Sequence, residues 1–158
     1  YSGEGELAGS FGSLFQEELQ TSVAADGWIV SAGPGTLIYP FRNAGLLISY
    51  SIDGRLRYFR EAIDTLKLPE VKIDAAGRQS LVEGTPVSTV NGSAAGDSLF
   101  LLSLTGGERV LDVYGAADGT YLYSMKPPEP DARYVVLTED RLYSASQRGV
   151  TIWQRPAE

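Results

Sequence analysis

The chain has 158 residues, 43% of them apolar and 21% charged, with 20 acidic residues against 13 basic ones for a net charge of -7; this is the composition of a single folded domain with a hydrophobic core, not of a disordered chain. It contains neither cysteine nor histidine, which removes the thiol nucleophile, the disulfide, the usual general base near neutrality and the commonest transition-metal ligands. The acidic excess repels a phosphate backbone, and the longest apolar runs, Leu46 to Ile48 and Leu99 to Leu102, fall far short of the roughly 20 residues of a spanning helix, so neither a nucleic-acid partner nor a transmembrane segment is expected.

Residues 1–23 begin with a stretch rich in glycine and serine that has no periodicity, and are read as an N-terminal arm or partial outer strand. Within them Leu14 to Leu19 has the length of one helical turn and is assigned no state. Residues 24–158 form the domain proper. Short runs rich in β-branched and aromatic residues predict strands at Trp28 to Val30, Leu37 to Tyr39, Leu46 to Ser51, Leu56 to Arg60, Val71 to Ile73, Leu99 to Leu104, Val110 to Tyr114, Tyr121 to Met125, Tyr134 to Leu137, Leu142 to Ser144 and Val150 to Trp153. The breaks between them carry Gly, Asp, Asn or Pro, as turns require.

Leu56 to Leu68 also fits helical spacing, with apolar residues at 56, 59, 63 and 66. The hairpin signal Asp53-Gly54 just before it favours a strand running into a loop. Arg55, Arg57 and Arg60 in the same stretch stand beside Asp53, Glu61 and Asp64, the mixture of a solvated strand edge. Residues 74–98 are poor in large apolar side chains and read as a long connection holding one weak strand near Val87 to Val90. Lys126-Pro127-Pro128-Glu129-Pro130 reads as a rigid connector.

Two elements recur. An acidic turn followed by an apolar strand appears at Asp26 to Val30, Asp97 to Leu101 and Asp140 to Ser144; a strand ending in an aromatic and leading to an Asp-Gly pair appears at Ile48 to Gly54 and at Val110 to Gly119, and Val150 to Trp153 begins a third copy. A tyrosine follows each Asp-Gly pair at the same offset, Tyr58 after Asp53 and Tyr123 after Asp118; with Leu122 between them, Tyr121 and Tyr123 are expected to share a face. Asp97 and Asp140 are 43 residues apart, the length of one four-stranded propeller blade.

With Asp97 to Leu104, Val110 to Tyr114, Asp118-Gly119 and Tyr121 to Met125 in that order, the chain resembles the six-bladed β-propeller family of the NHL and TolB-like kind. The resemblance covers roughly residues 24–63 and 94–155 and implies an all-β fold of antiparallel β-meander blades stacked as a partial β-propeller. The chain supplies about three and a half blades of about 43 residues each, too few to close a six-bladed ring by itself. The Trp-Asp and Gly-His signatures of WD40 repeats are missing.

No catalytic, cofactor-binding or metal-binding residue is assigned. The Asp-Gly pairs lack the alternating acidic residues of a calcium loop, Glu17-Glu18 and Glu139-Asp140 point to opposite faces of an extended chain, and Gly33-Pro34-Gly35 lacks the lysine and helix of a phosphate loop. Leu37, Tyr39, Phe41 and Arg42 lie in a stretch read as an insertion in the repeat, with the composition of a protein interface. The expected function is a non-enzymatic protein-interaction or scaffold module, an accessory subunit of a larger complex, with a protein partner covering the open blade faces and a second copy as the alternative cover. The competing expectations are a carboxylate-based propeller hydrolase or lyase, a carbohydrate-binding domain, and a fragment of a longer propeller. The family's habits add an expectation of an extracytoplasmic (periplasmic or secreted) location.

Overall fold

The computed structural model describes residues 23–138 and 140–154; the expected arm and the Leu14 to Leu19 turn lie outside them. The described residues form thirteen strands and no helix. β1 (Val30–Ser31), β2 (Thr36–Pro40), β3 (Leu46–Ser51) and β4 (Leu56–Glu61) make a four-stranded antiparallel meander, blade 1. β5 (Val71–Ile73) and β6 (Gln79–Leu81) form a separate hairpin. β7 (Thr89–Ala95), β8 (Ser98–Thr105), β9 (Glu108–Gly115) and β10 (Tyr121–Met125) make blade 2, again in meander order. β11 (Tyr134–Leu137), β12 (Arg141–Ser146) and β13 (Gly149–Gln154) make blade 3, which has three strands among the described residues.

The first strands of the blades lie side by side, β7 touching both β1 and β11, and the blades stack face to face outward from them. The fold is therefore an all-β partial β-propeller, as the repeat implied. A meander blade has two apolar faces and is stable only when neighbours cover them. Between blades 1 and 2 the filling is Val30, Ile38, Leu47 and Tyr58 against Leu99, Leu101, Tyr114 and Ala116; between blades 2 and 3 it is Leu102 and Leu111 against Ala132 and Val135. A further cluster of Phe41, Ala44, Ile48 and Tyr50 lies on the opposite side of blade 1.

Asp53-Gly54 and Asp118-Gly119 turn β3 into β4 and β9 into β10, each with its glycine at positive φ. Gly119 has a second constraint: a Cβ there would come within 2.7 Å of the Tyr58 ring, so this turn of blade 2 is shaped to cover Tyr58 of blade 1. The stretch from Leu56 resolves as β4 and then a loop, as the preceding turn indicated.

Four expectations are corrected. The weak strand near Val87 to Val90 is in fact β7, running Thr89–Ala95 with a bulge between Thr89 and Asn91, and the connection also contains β6. Asp26 is not equivalent to Asp97 and Asp140: those two lie between the first and second strands of blades 2 and 3, whereas in blade 1 that place is taken by residues 32–35, including Gly33-Pro34-Gly35, and of Trp28 to Val30 only Val30 is in β1. Leu37 to Pro40 is consequently not an insertion but the second strand of blade 1, and the true insertion is the β5–β6 hairpin. Finally, a bulge splits Tyr121 from Tyr123: Tyr121 pairs with Tyr114 and Tyr123 with Val113, which places the two rings on opposite faces.

Candidate functional site

The four expected interface residues stand together, but their contacts run largely into the chain itself. Leu37 is half-buried on β2. The Tyr39 hydroxyl donates to the Ala25 carbonyl at 2.7 Å, and its ring meets Phe41 edge to face at 5.4 Å. Burial, and then the nearby Asp26 carboxylate, push the Tyr39 phenol above its ordinary range. Phe41 is buried in the cluster with Ile48 and Tyr50. Arg42 sets its Nε 3.0 Å from Asp26 Oδ2 and its guanidinium 6.0 Å from the centre of the Trp28 ring. The Arg42 carbonyl accepts hydrogen bonds from the Ser88 and Thr89 amides, so this segment ties blade 1 to the entry of blade 2.

Several polar side chains of the interior bond to one another or to backbone, whereas the buried Trp28 Nε1 and Arg109 Nε do not. Ser88 donates to Asp64, Ser124 to Asp112, and Thr151 and Ser144 to Glu129. The Tyr114 hydroxyl accepts the Ile63 amide at 3.1 Å; burial first, with Asp112 and Asp64 adding to it, pushes this phenol far above its ordinary value. Among the described residues no three Asp or Glu side chains gather where they could hold a metal ion. Two polar side chains of β7, the strand nearest the axis, serve β11, Asn91 Oδ1 accepting from the Val135 amide at 2.8 Å and Ser93 Oγ from the Leu137 amide at 3.0 Å, while Thr89 Oγ1 donates to the Phe41 carbonyl.

Two features of blade 3 stand apart from this internal satisfaction. The first is its face away from blade 2. The register places Tyr134, Ala145 and Val150 in one cross-strand row and Val136, Tyr143 and Ile152 in the next, so six consecutive positions of that face are apolar. Tyr134 is 60%, Val136 48%, Val150 68% and Ile152 57% exposed. The signal for this face was in the sequence, in the alternation of Tyr134, Val136 and of Val150, Ile152, but it reads there as ordinary packing; only the stacking order shows that nothing described lies against it.

The second feature is a cleft of about 570 Å³ between the outer parts of blades 2 and 3, lined by Phe100, Leu111, Tyr123, Met125, Leu142 and Trp153 with Thr138, Arg141 and Gln154 at its polar parts. No carboxylate among the described residues lines it. Among the described residues the walls of the cleft are mainly apolar and aromatic, a composition suited to holding an apolar group.

No protein-family model matches the chain, and no curated protein matches it. Among solved structures it is similar to BamB from Moraxella catarrhalis at 17% identity, covering 85% of this chain and 45% of that one with a TM-score of 0.41. It is similar to the RRP9 WD40 repeats at 12% identity, covering 83% and 50% with a TM-score of 0.40. The computationally designed Ika4 protein is similar at 10% identity, covering 81% and 89% with a TM-score of 0.39. The chain spans about half the length of the BamB and RRP9 structures it matches.

Proposed function

We propose that the chain is a protein-interaction module, an accessory subunit of a larger complex, and that the outward face of blade 3 is its principal contact surface. The observation that carries this reading is the pair of apolar cross-strand rows just described, with four side chains about half or more exposed. Contiguous apolar patches beyond about 300–600 Å² are rare on free monomers and mark interaction sites. The cover that fits is another flat apolar sheet, because the junctions between blades 1, 2 and 3 are made in that way. Kinship with the NHL and TolB-like propellers and an extracytoplasmic setting belong to the same proposal, the latter to be tested by cell fractionation.

The test is site-specific photocrosslinking in the cells of origin. A photoreactive residue in place of Val136 or Ile152 is expected to capture one defined polypeptide, while the same residue in place of Lys72, on the exposed β5–β6 hairpin, captures none. Failure of both face positions to crosslink above the Lys72 control would overturn the reading.

A further inference from the structure

The chain has two asparagines, Asn43 and Asn91, and Asn91 is followed by glycine. Packing dictates both members of that pair. Gly92 lies in the ladder opposite Leu101, and a Cβ there would stand 2.5 Å from the Leu101 side chain and 3.0 Å from the Phe100 carbonyl oxygen, with Trp28 on the third side, so the position has room for glycine alone. Asn91 stands at the bulge of β7, and its Oδ1 accepts the Val135 amide of blade 3 at 2.8 Å, where no ladder joins the two sheets. The two demands place side by side the dipeptide in which an asparagine side chain is least shielded from the next backbone nitrogen, because glycine has no side chain to stand in the way.

In such a pair the Gly92 nitrogen, having given up its proton, attacks Cγ of Asn91: the N–Cγ bond forms, the Cγ–Nδ2 bond breaks, and ammonia leaves with one proton returned to it. Water then opens the cyclic imide. Breaking the new N–Cγ bond gives aspartate; breaking the bond between that nitrogen and the Asn91 carbonyl carbon gives isoaspartate, whose main chain runs through Cβ and Cγ and is longer by one methylene. Water is the sole co-reactant. The folded chain opposes the first step, because an extended strand directs its side chains out of the plane that holds its amides, and the Val135 amide holds Oδ1. Attack therefore requires β7 to leave its ladder at Gly92 and Asn91 to release blade 3.

We propose that Asn91-Gly92 is a self-modification site, closed while blades 2 and 3 are joined, reactive when they separate, and able to hold them apart once isoaspartate has formed. The two products act differently. Aspartate keeps an acceptor oxygen for Val135. Isoaspartate displaces the rest of β7 by one main-chain atom, so that residue 91 and Ser93, whose Oγ accepts the Leu137 amide at 3.0 Å, no longer meet β11 together. Asn43 is the internal contrast: its Nδ2 donates to the Pro86 carbonyl at 2.9 Å, and the residue after it, Ala44, carries a methyl group. The Asp-Gly turns at Asp53 and Asp118 lose water and not ammonia by the same route, and hydrogen bonds from the Ser51 hydroxyl and the Thr120 amide hold their carboxylates in the ionised, less electrophilic form.

The test is a time course of the whole chain in mildly alkaline buffer, folded and in urea, read by peptide mass spectrometry. Conversion at Asn91 is expected to run about tenfold or more faster in urea than in the folded chain, with Asn43 lagging behind it in urea. Val135→Ala keeps the amide and removes buried packing at the junction of blades 2 and 3, so it is expected to raise the rate in the folded chain severalfold. Slow amide exchange at Leu101 confirms that blade 2 of this variant is folded; where it is lost, Leu137→Ala, at the edge of the same cluster, takes its place. The isolated isoaspartate product, returned to native buffer, is expected to exchange its Val135 and Leu137 amides about tenfold or more faster than the parent chain, whereas Asn91→Asp stays close to the parent. Equal rates in folded and unfolded chains, a rate indifferent to loosening of the junction, conversion of Asn43 in urea as fast as that of Asn91, or parent-like protection of Val135 in the isoaspartate product would each overturn the proposal.

Discussion

Asn91 Oδ1, on the strand of blade 2 nearest the axis, accepts the hydrogen bond of the Val135 amide on the first strand of blade 3 at 2.8 Å. Val135 is buried, and its amide faces β7 across the gap between two sheets that share no ladder. The side chain of Asn91 thus stands in for the strand partner that the amide lacks.

Replacing Asn91 by Ala leaves that amide without its partner, at a cost of about 1–3 kcal/mol. Asn91→Asp keeps an acceptor oxygen and is expected to lose less. Urea denaturation gives the stability difference, and amide exchange at Val135 separates a local loosening of blade 3 from a general loss: the Ala variant is expected to exchange faster at Val135 than at Leu101 in the centre of blade 2.

A second prediction contrasts two glycines. A Cβ at Gly92 would come 2.5 Å from the buried Leu101 side chain and 3.0 Å from the Phe100 carbonyl oxygen, and Trp28 closes the third side with its Nε1 at 3.5 Å. Gly92→Ala is therefore an overpacking substitution expected to cost about 1–3 kcal/mol. Gly96 has nothing within 4 Å of an added Cβ but sits at φ +55°, so Gly96→Ala costs the left-handed penalty of roughly 1–2 kcal/mol. Reversion by Leu101→Val should recover part of the loss at Gly92 and none at Gly96.

β7 explains how much of the fold was legible in the sequence. Strands such as Leu99 to Leu104 declare themselves because blades press on both of their faces and both carry large apolar side chains. Thr-Val-Asn-Gly-Ser-Ala-Ala does not, because the strand nearest the axis has little room, Gly92 lies under Trp28, and Asn91 and Ser93 serve as acceptors for β11. The same omission shifted the repeat in blade 1, where Asp26 resembles Asp97 in sequence but precedes the blade. Of the candidate site, Leu37, Tyr39, Phe41 and Arg42 stood out by composition although most of their contacts run into the chain. The outward face of blade 3 depends on which sheet follows which, and no local pattern encodes that order.

Alkaline pH supplies a third prediction, through Tyr114. Burial holds this phenol protonated well above its ordinary 10.0, with Asp112 and Asp64 disfavouring the phenolate further. In the unfolded chain it ionises near 10. Above that pH the unfolded state binds fewer protons than the folded one, so stability falls as pH rises. The contribution is intact below about pH 9 and is lost from about pH 10 upward with a limiting slope of about 1.4 kcal/mol per pH unit for this one group. Tyr39, Tyr50 and Tyr58 are shifted in the same direction. Urea midpoints measured from pH 8 to about 11 should therefore decline more steeply in the parent than in Tyr114→Phe; parallel curves would show that Tyr114 ionises as easily folded as unfolded.

The last prediction concerns the outward face of blade 3 in isolation. Val136, Tyr143 and Ile152 form one cross-strand row across β11, β12 and β13, and Val136 and Ile152 point away from every described blade. Side chains that are about half exposed contribute little to the fold, so Val136→Lys with Ile152→Lys is expected to change the unfolding free energy by about 0.5–1 kcal/mol at most. The same pair of lysines breaks both the row and the patch it belongs to, because each side chain carries a charge that stays hydrated. A fluorescent apolar dye that reports exposed hydrophobic surface should bind the parent chain and bind the double variant several-fold less. Cation repulsion of the dye is separated from loss of the patch by Val136→Thr with Ile152→Thr, which preserves the strand shape, adds no charge and is expected to reduce dye binding as well. Lys72→Arg, on the exposed hairpin strand β5, leaves the face untouched and serves as the control. If dye binding survives both double substitutions, the apolar surface that the dye detects is elsewhere, and the outward face of blade 3 is not the contact surface proposed.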